Sequence, residues 1–264
     1  MKKYFMCAMA AVAMLSVSSC SSEEEVNMSG AEGVGYISLN TSTEDAVITR
    51  ADADINTFKA KVYTGGEDGT YVWGTKGAYA DIDASINTTP MSPAEYVVDV
   101  RNYNDMGAAL AANSNYGAAY WEGQANVTVV TARKTPVTVA CGKPQNTKLI
   151  LNAPAFGGTA LSLNISAPRA LAFVWNNSTK AFDHAESFFD HDAVLSYTIS
   201  YTINGIEKVT STKTLTMGAA GTAKKLTIAS NANGTITLSI TTEDFDEAVE
   251  KILTFDAATG EEVL

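Results

Sequence analysis

The feature that most constrains this chain is the alternation of β-branched, aromatic and other apolar residues with polar ones, which recurs in short runs along its body. In one run, Phe58, Ala60 and Val62 alternate with Lys59 and Lys61. Because successive side chains of a strand point to opposite faces, this pattern predicts strands with one buried face. Clusters of Gly, Asn, Asp and Pro separate the runs, which is typical of antiparallel strands. The predicted strands are 35–40, 57–63, 95–101, 126–131, 136–141, 148–152, 161–166, 194–203, 226–229 and 234–241.

Residues 243–255 fit two periods. Phe245 and Ile252 lie on one helical face together with the apolar residues between them, whereas Leu253 and Phe255 continue a strand alternation. We expect a strand. No other segment of the body has a helical period of useful length, so the fold class is all-β.

The connection at residues 141–146 looks like a hinge, because Gly142 and Pro144 interrupt a polar gap between two sets of strands. Each side has the size of a small antiparallel β-sandwich with Greek-key connections. The sequence therefore predicts two sandwich domains in tandem, residues 34–142 and 146–264. A single structure that shares a sheet across the gap is the alternative.

The N-terminus has the pattern of a secretory signal, with Lys2 and Lys3 before an uncharged, mostly apolar run over residues 4–17. The Val-Ser-Ser-Cys sequence that ends at Cys20 resembles the bacterial lipobox. That resemblance implies a lipoprotein signal peptide at residues 1–19 and a lipid on Cys20. An ordinary signal peptide with an incidental Cys is the alternative.

An acidic run, Glu23, Glu24 and Glu25, follows the predicted lipidation site. Like charges repel and do not pack, so residues 20–33 are predicted to form a solvated tether. The run also resembles the lipoprotein export signal of the phylum Bacteroidota. That resemblance implies a protein held at the outer surface of the outer membrane.

Charge and composition exclude several classes of partner and site. The chain has 18 Lys and Arg against 29 Asp and Glu, a net charge of −11, so nucleic acid and anionic lipid surfaces are disfavoured as partners. Two His and three Cys leave little material for a zinc site or a disulfide framework. Cys141 shares a predicted strand face with Val137 and Val139, so we expect a buried, inert thiol.

The sequence contains no hydrolase nucleophile elbow, phosphate-binding loop or dinucleotide fingerprint. His184 and His191 lie among acidic residues in the segment 183–192, where a divalent metal site and an ordinary loop are alternatives. Their spacing matches no zinc motif, and we favour the loop. We therefore expect a protein that is not an enzyme and that uses no metal or cofactor.

Several stretches together resemble the fimbrillin-like surface lipoproteins of Bacteroides, which belong to or lie near the type V pilin superfamily. The resemblance covers the N-terminal half, and the C-terminal half follows only in its strand-rich texture. It implies a transthyretin-like form of the sandwich and a fimbrial or adhesin-like role. The stretches are Gly-Tyr-Ile-Ser-Leu at 35–39, Val-Ile-Thr-Arg-Ala-Asp at 47–52, Ile-Asn-Thr-Phe-Lys-Ala at 55–60, Pro-Ala-Glu-Tyr-Val-Val at 93–98, Ala-Tyr-Trp-Glu-Gly at 119–123 and Val-Thr-Val-Ala-Cys at 137–141.

The resemblance also implies a mechanism of assembly. In such pilins a trypsin-like protease cuts after an Arg beyond the first strand, and a strand from another subunit fills the groove that the first strand leaves. Here the first strand is 35–40 and the cleavage site is Arg50, so the implied partners are other pilin-like subunits. The alternative is that Arg50 is a surface residue in a turn.

A glycan-binding lipoprotein is the second function that the sequence allows, with a glycan or host-surface ligand as partner. Tyr120 and Trp121, in the Asn-, Ala- and Gly-rich stretch 101–123, are the candidate glycan contacts, because exposed aromatic rings stack on sugars. The alternative is that both rings cover the end of the sandwich. Exposure separates the two: flat, exposed rings favour glycan binding, and buried rings favour a structural role.

Overall fold

The computed structural model describes residues 33–42, 57–65, 69–74, 79–83, 85–231, 235–243, 249–255 and 262–263. Over these residues the chain is built almost entirely from β-strands arranged in packed sheets, which confirms the predicted all-β sandwich class. The segment 249–255 is a strand, as expected. Within the described ranges, no helix is long and apolar enough to cross a membrane.

The N-terminal half contains seven strands and one short helix in the described residues. They are β1 Tyr36–Ser42, β2 Lys59–Tyr63, β3 Tyr71–Trp73, β4 Ala80–Asp81, β5 Ala94–Arg101, α1 Met106–Ala111, β6 Glu122–Val129 and β7 Lys134–Ala140.

Two sheets enclose the core of this half. The larger has the order β3-β2-β5-β6, with β4 also paired to β2, and the smaller consists of β1 and β7. In β2, Ala60 and Val62 are fully buried in this core, but Lys61 and Tyr63 on the other face are buried as well, so the predicted alternation of buried and exposed residues does not hold there. The core residues between the two sheets include Ile37, Phe58, Ala60, Val62, Met91, Tyr96, Val98, Val100, Trp121, Val127, Val129, Val137, Val139 and Cys141.

The C-terminal half contains the remaining strands. They are β8 Thr147–Ala155, β9 Ala160–Ala167, β10 Leu171–Asn176, β11 Ala181–Phe182, β12 Glu186–Phe189, β13 Val194–Ile203, β14 Ile206–Val209, β15 Lys213–Thr216, β16 Ala223–Ser230, β17 Ile236–Glu243, β18 Val249–Phe255 and β19 Glu262–Val263.

These strands form two six-stranded sheets that share a second core. One has the order β11-β10-β9-β13-β14, with β15 also paired to β13, and the other has the order β12-β8-β16-β17-β18-β19. Strict alternation in β13 turns Leu195, Tyr197, Ile199, Tyr201 and Ile203 toward this core. The burial of apolar side chains on one strand face is therefore the main source of stability in both halves.

Two features depart from the sequence expectations. The strand pairs β1–β7 and β8–β16 are parallel, although the alternation was typical of antiparallel strands. The connection at 141–146 is anchored, since the amide of the fully buried Asn146 accepts from the backbone N–H of Tyr120 and donates to the carbonyl of Ala118. These hydrogen bonds tie the two halves together at this point.

Candidate functional site

Five of the residues that the sequence singles out lie where the structure gives no description. Cys20, the acidic run from Glu23 and Arg50 are outside the described residues. Lipidation of Cys20 and cleavage after Arg50 stay predictions.

Strand β1, which ends shortly before the predicted cleavage site, is held by a single ladder among the strands that the structure describes. It pairs in parallel with β7 in a register that runs from Tyr36 opposite Lys134 to Ser42 opposite Ala140. At its start, Gly35 and Met91 exchange two backbone hydrogen bonds of 2.8 and 3.0 Å. Among the described strands, β1 and β7 pair only with each other.

The side chains of β1 complete the N-terminal core. Ile37 is fully buried, and Leu39 packs against the same cluster. The backbone N–H of Leu39 also donates to the side-chain oxygen of Asn87 at 2.9 Å. A Cβ at Gly35 would lie 2.2 Å from the carbonyl oxygen of Val130, so only glycine fits there without displacing the backbone. Removal of β1 would uncover both the core under Ile37 and the backbone of β7.

The two candidate glycan contacts are buried. Tyr120 is 3% exposed and Trp121 is 2% exposed, and Trp121 belongs to the N-terminal core. The hydroxyl of Tyr120 donates to Glu122 at 2.8 Å, and burial together with this hydrogen bond raises the pKa of Tyr120. By the exposure criterion, these rings favour the structural role.

A polar network lies beside Tyr120 on the outer face of the larger N-terminal sheet. Asp99, which is 2% exposed, accepts hydrogen bonds from Tyr79 at 2.8 Å, Arg101 at 3.0 Å and Gln124 at 3.1 Å. The guanidinium of Arg101 also lies 4.8 Å from the ring centre of Tyr79. Burial and the hydrogen bond to Asp99 raise the pKa of Tyr79. This carboxylate is fully used within the protein, so the network is a structural element.

Cys141 is a fully buried free thiol, which confirms the predicted burial. Burial raises its pKa to about 12, and the charges of Asp99 and Glu122 act in the same direction. A thiol with so high a pKa is protonated at neutral pH and does not act as a nucleophile.

The two histidines of the segment 183–192 make separate contacts. The ring of His184 stacks on Tyr116 with 3.9 Å between centroids, whereas His191 lies 3.1 Å from a carboxylate oxygen of Asp190. The described residues contain no group of three or more His, Cys, Asp or Glu side chains that could hold a metal ion.

Tyr116 joins the two halves. Its hydroxyl donates to the carbonyl of Ala172 at 2.7 Å, and its own carbonyl accepts from the N–H of Phe188 at 2.8 Å and the hydroxyl of Ser187 at 2.7 Å. Its ring packs edge-on against Phe173 of the second core. The loop that follows α1 is therefore fixed on the C-terminal half.

The same loop contains a run of left-handed residues. Asn113, Ser114 and Asn115 have φ angles of 52°, 56° and 70°, and Gly117 has a φ of 79°. The left-handed region costs a residue with a Cβ roughly 1–2 kcal/mol, although Asn tolerates it better than most. Strain of this kind persists where surrounding contacts hold it, and here Tyr116 supplies those contacts.

A cavity of about 540 Å³ opens where this loop meets the C-terminal half. Its walls come from α1 and the loop after it, from the β9–β10 turn and from the β12–β13 turn. The lining residues are Leu110, Ala111, Asn115, Pro168, Arg169, Phe189, Asp190, His191, Asp192 and Ala193.

Arg169 is the cation of this cavity. Its guanidinium lies 4.5 Å from the ring centre of Phe189, and it donates to the carbonyl of Phe188 and to Ser187. Its Nε is buried without a hydrogen-bond partner, and burial lowers its pKa. Sequence reasoning missed Arg169, because a lone Arg in a turn carries no local signal of a cavity that forms between two distant segments.

Comparisons with known proteins give a family and three distant structural likenesses. The family model described as "Domain of unknown function (DUF4493)" matches residues 33–254. No curated protein matches the chain.

The similar solved structures include a "putative cell adhesion protein" from Bacteroides ovatus, with 13% identity, a TM-score of 0.44 and coverage of 80% of this chain and 96% of that one. A family 26 carbohydrate-binding module of Eubacterium rectale Amy13K, in complex with maltoheptaose, has 10% identity, a TM-score of 0.24 and coverage of 81% and 95%. A C-terminal fragment of the pilus adhesin SpaC of Lactobacillus rhamnosus GG has 12% identity, a TM-score of 0.21 and coverage of 87% and 95%. At these identities and TM-scores, none of the three indicates a function for this chain.

Proposed function

The chain belongs to the DUF4493 family, and we propose that it is a surface-anchored, adhesin-like lipoprotein that assembles by exchange of its first strand. The observation that supports the proposal is the way in which β1 is packed and paired in the N-terminal half. This strand supplies a fully buried side chain, Ile37, and yet is held by one ladder, to β7.

The groove that β1 occupies favours the binding of another strand once β1 has left it. Without β1, the backbone groups of β7 that pair with it lose their partners, and the core under Ile37 meets water. Unpaired backbone groups and exposed apolar surface are both costly, and an added strand satisfies both at once. Cleavage after Arg50 would separate β1 from the rest of the chain, so a strand of another copy becomes the best available occupant.

The donor in this proposal is the C-terminal segment, whose strand β18 pairs with β17 and must leave that ladder to reach another copy. Leu253 and Phe255 alternate in sequence as Ile37 and Leu39 do, so either pair places two apolar side chains on one strand face. Backbone hydrogen bonds give a donor strand its affinity, and the alternate side chains give it specificity.

Lipidation of Cys20 would hold an uncleaved subunit on the outer membrane, because cleavage after Arg50 separates Cys20 from the rest of its chain. Lipid chains contribute about 0.8 kcal/mol for each buried methylene group, which a short acidic tether does not replace. The acidic run after Cys20 would then direct the protein to the cell surface, where a fimbrial or adhesin-like component acts.

Limited trypsin digestion of the full chain in detergent tests the strand exchange. We expect the earliest cut at Arg50, read by intact mass as a new N-terminus at Ala51, followed by oligomers on size-exclusion chromatography. Replacement of both Leu253 and Phe255 by Ser should prevent the oligomers while β18 stays in the chain. The matched variants are Arg50→Gln, which should abolish the early cut, and Arg133→Gln, an exposed position in the β6–β7 turn that should leave it unchanged. A trimmed chain that stays monomeric at high concentration would contradict the proposal.

Cell fractionation tests the anchor. Cys20→Ala should release the protein from the outer membrane, with Cys141→Ala as the matched control because that thiol is buried in the core. Replacement of Glu23, Glu24 and Glu25 by Ala should leave lipidation intact and remove surface labelling on whole cells. A Cys20→Ala variant that still pellets with outer membranes would refute the lipid anchor.

A further inference from the structure

We propose that the cavity between α1 and the β12–β13 turn binds a neutral saccharide, with both halves of the protein contributing to the site. This inference goes beyond the proposed function, because it assigns a ligand to a region that strand exchange does not use.

The size and position of the cavity fit a small ligand. Its volume of about 540 Å³ lies within the range of roughly 300–1,000 Å³ that is usual for small-molecule sites. It lies where α1 and the loop after it meet the C-terminal half, and clefts between two packed parts of a protein are a common place for such sites.

The charges that line the cavity favour a neutral ligand. Arg169 contributes one guanidinium, and Asp190 and Asp192 contribute two carboxylates. An anion would meet the two carboxylates, and a cation would meet the guanidinium. A hydroxylated ligand suits both, because each hydroxyl donates to a carboxylate or accepts from a guanidinium.

The remaining lining residues complete this pattern. Leu110, Ala111 and Pro168 form an apolar part of the wall, against which the C–H face of a sugar ring would pack. The amide of Asn115 both donates and accepts. Mostly apolar walls with a few convergent polar groups are characteristic of ligand sites.

The cavity is held in shape before any ligand arrives. The hydrogen bonds of Tyr116 to Ala172, Ser187 and Phe188 fix the loop that carries Asn115. A preformed site spends less free energy on ordering its residues when the ligand binds.

Ligand-observed NMR on the full chain provides the test. The protein is held in a detergent without a sugar headgroup, and saturation-transfer difference spectra are recorded with maltose, cellobiose, lactose, N,N′-diacetylchitobiose and, as an anionic comparison, digalacturonate at millimolar concentration. We expect saturation transfer to at least one neutral disaccharide, with a dissociation constant measured by titration.

Two variants delete a cavity-lining side chain with little risk to the fold. Asn115 and Asp192 have φ angles of 70° and 57°, so Asn115→Gly and Asp192→Gly keep a backbone conformation that glycine adopts readily. Each should weaken binding of the neutral disaccharide about tenfold, a loss of about 1.4 kcal/mol, because each variant removes a side chain that can hydrogen-bond to the ligand.

The matched controls are Ser114→Gly and Asn204→Gly. Both residues also have positive φ angles, 56° and 53°, but neither lines the cavity. They should bind the disaccharide as the unmodified chain does. The proposal is overturned if no neutral disaccharide gives saturation transfer, if digalacturonate binds more tightly than all of them, or if the controls weaken binding as much as the cavity variants. None of these outcomes depends on cleavage at Arg50.

Discussion

Among the described residues two strand pairs are parallel, one in each half, and they differ in how many ladders hold β16 and β1. In the C-terminal half, β16 runs parallel to β8 and antiparallel to β17, so it has a ladder on both sides. In the N-terminal half, β1 runs parallel to β7 and has no second ladder among the described strands. Both contribute a fully buried isoleucine, Ile228 and Ile37. The two isoleucines are equally buried, although two ladders hold β16 and one holds β1.

This difference separates a fixed strand from a replaceable one. Removing β16 would open two ladders in the middle of a six-stranded sheet, whereas removing β1 would open the one ladder of a two-stranded sheet. The same substitution at Ile228 and at Ile37 should therefore have different effects. At Ile228 it should lower the stability of the whole C-terminal half, and at Ile37 it should release β1 locally.

The largest expected effect follows Ile228→Asp. An unpaired carboxylate in the shared core of both six-stranded sheets costs several kcal/mol, which is enough to unfold a domain of ordinary stability. Hydrogen exchange should show loss of amide protection across β9, β13 and β17. The matched variant Thr227→Asp lies on the half-exposed face of the same strand and should keep that protection. If Ile228→Asp leaves the C-terminal sheets protected, β16 is not the fixed strand described here.

A smaller and more local effect should follow Ile37→Asp. The buried charge should drive β1 away from β7 and from the core beneath it. Amide exchange in β7 should then rise by about a hundredfold or more, while β5 and β6 stay protected. Tyr36→Asp, at a half-exposed position of the same strand, is the control. Equal loss of protection in β5 and β6 would mean that β1 is inseparable from its core and would remove the basis for strand exchange.

The sequence predicted where the strands lie better than it predicted the direction of the strands that pair with them. Alternation in β13 reports which side chains face the core, because that follows from strand geometry alone, whereas in β2 both faces are covered and Lys61 is buried. It does not report the direction of the adjacent strand, since a strand buried on one face alternates in the same way beside a parallel or an antiparallel partner. The alternation therefore could not predict that the pairs β1–β7 and β8–β16 are parallel.

The site was predictable only in part. The aromatic stretch 101–123 was identified as a candidate ligand region, but the rings within it serve different ends: Trp121 lies in the core, while Tyr116 joins the halves. The positive φ angles of Asn113, Ser114 and Asn115 fit the tolerance of Asn for the left-handed region, but no prediction was made for these residues. The cavity depends on Arg169 and Asp192 meeting that loop, and such long-range contacts leave no mark on local sequence.

A third effect, intermediate in size, compares the halves through pH. The buried Cys141 lies in the N-terminal core and has a pKa of about 12, against an ordinary thiol value of about 8.5 in the unfolded chain. A raised pKa in the folded state contributes stability below the unfolded value and loses it as the pH rises toward the folded value. The free energy of unfolding of this half should therefore fall by about 1.4 kcal/mol for each pH unit above about 8.5.

Chemical denaturation between about pH 8 and 9.5 measures this slope before tyrosines titrate near their ordinary value of about 10. Trp121 of the N-terminal core and Trp175 of the C-terminal core serve as separate fluorescence probes, each isolated by replacing the other Trp residues with Phe. Cys141→Ala should flatten the slope that Trp121 reports. A slope that survives Cys141→Ala would assign the pH dependence to another group.

The smallest expected effect concerns the left-handed loop that joins the halves. Ser114→Gly removes a Cβ from a residue with a φ of 56°, which relieves roughly 1–2 kcal/mol of strain. Glycine also gives the unfolded chain more freedom, which offsets roughly 0.5–1 kcal/mol of that gain. The net result should be a stabilisation of about 0.5 kcal/mol, because the relief of strain exceeds the entropic cost. Ser178→Gly, in the exposed turn between β10 and β11 and without a positive φ, has only the entropic cost and should lower stability by a similar amount. Opposite signs for the two substitutions in thermal unfolding would show that the junction loop is strained in the folded protein, and equal signs would show that it is not.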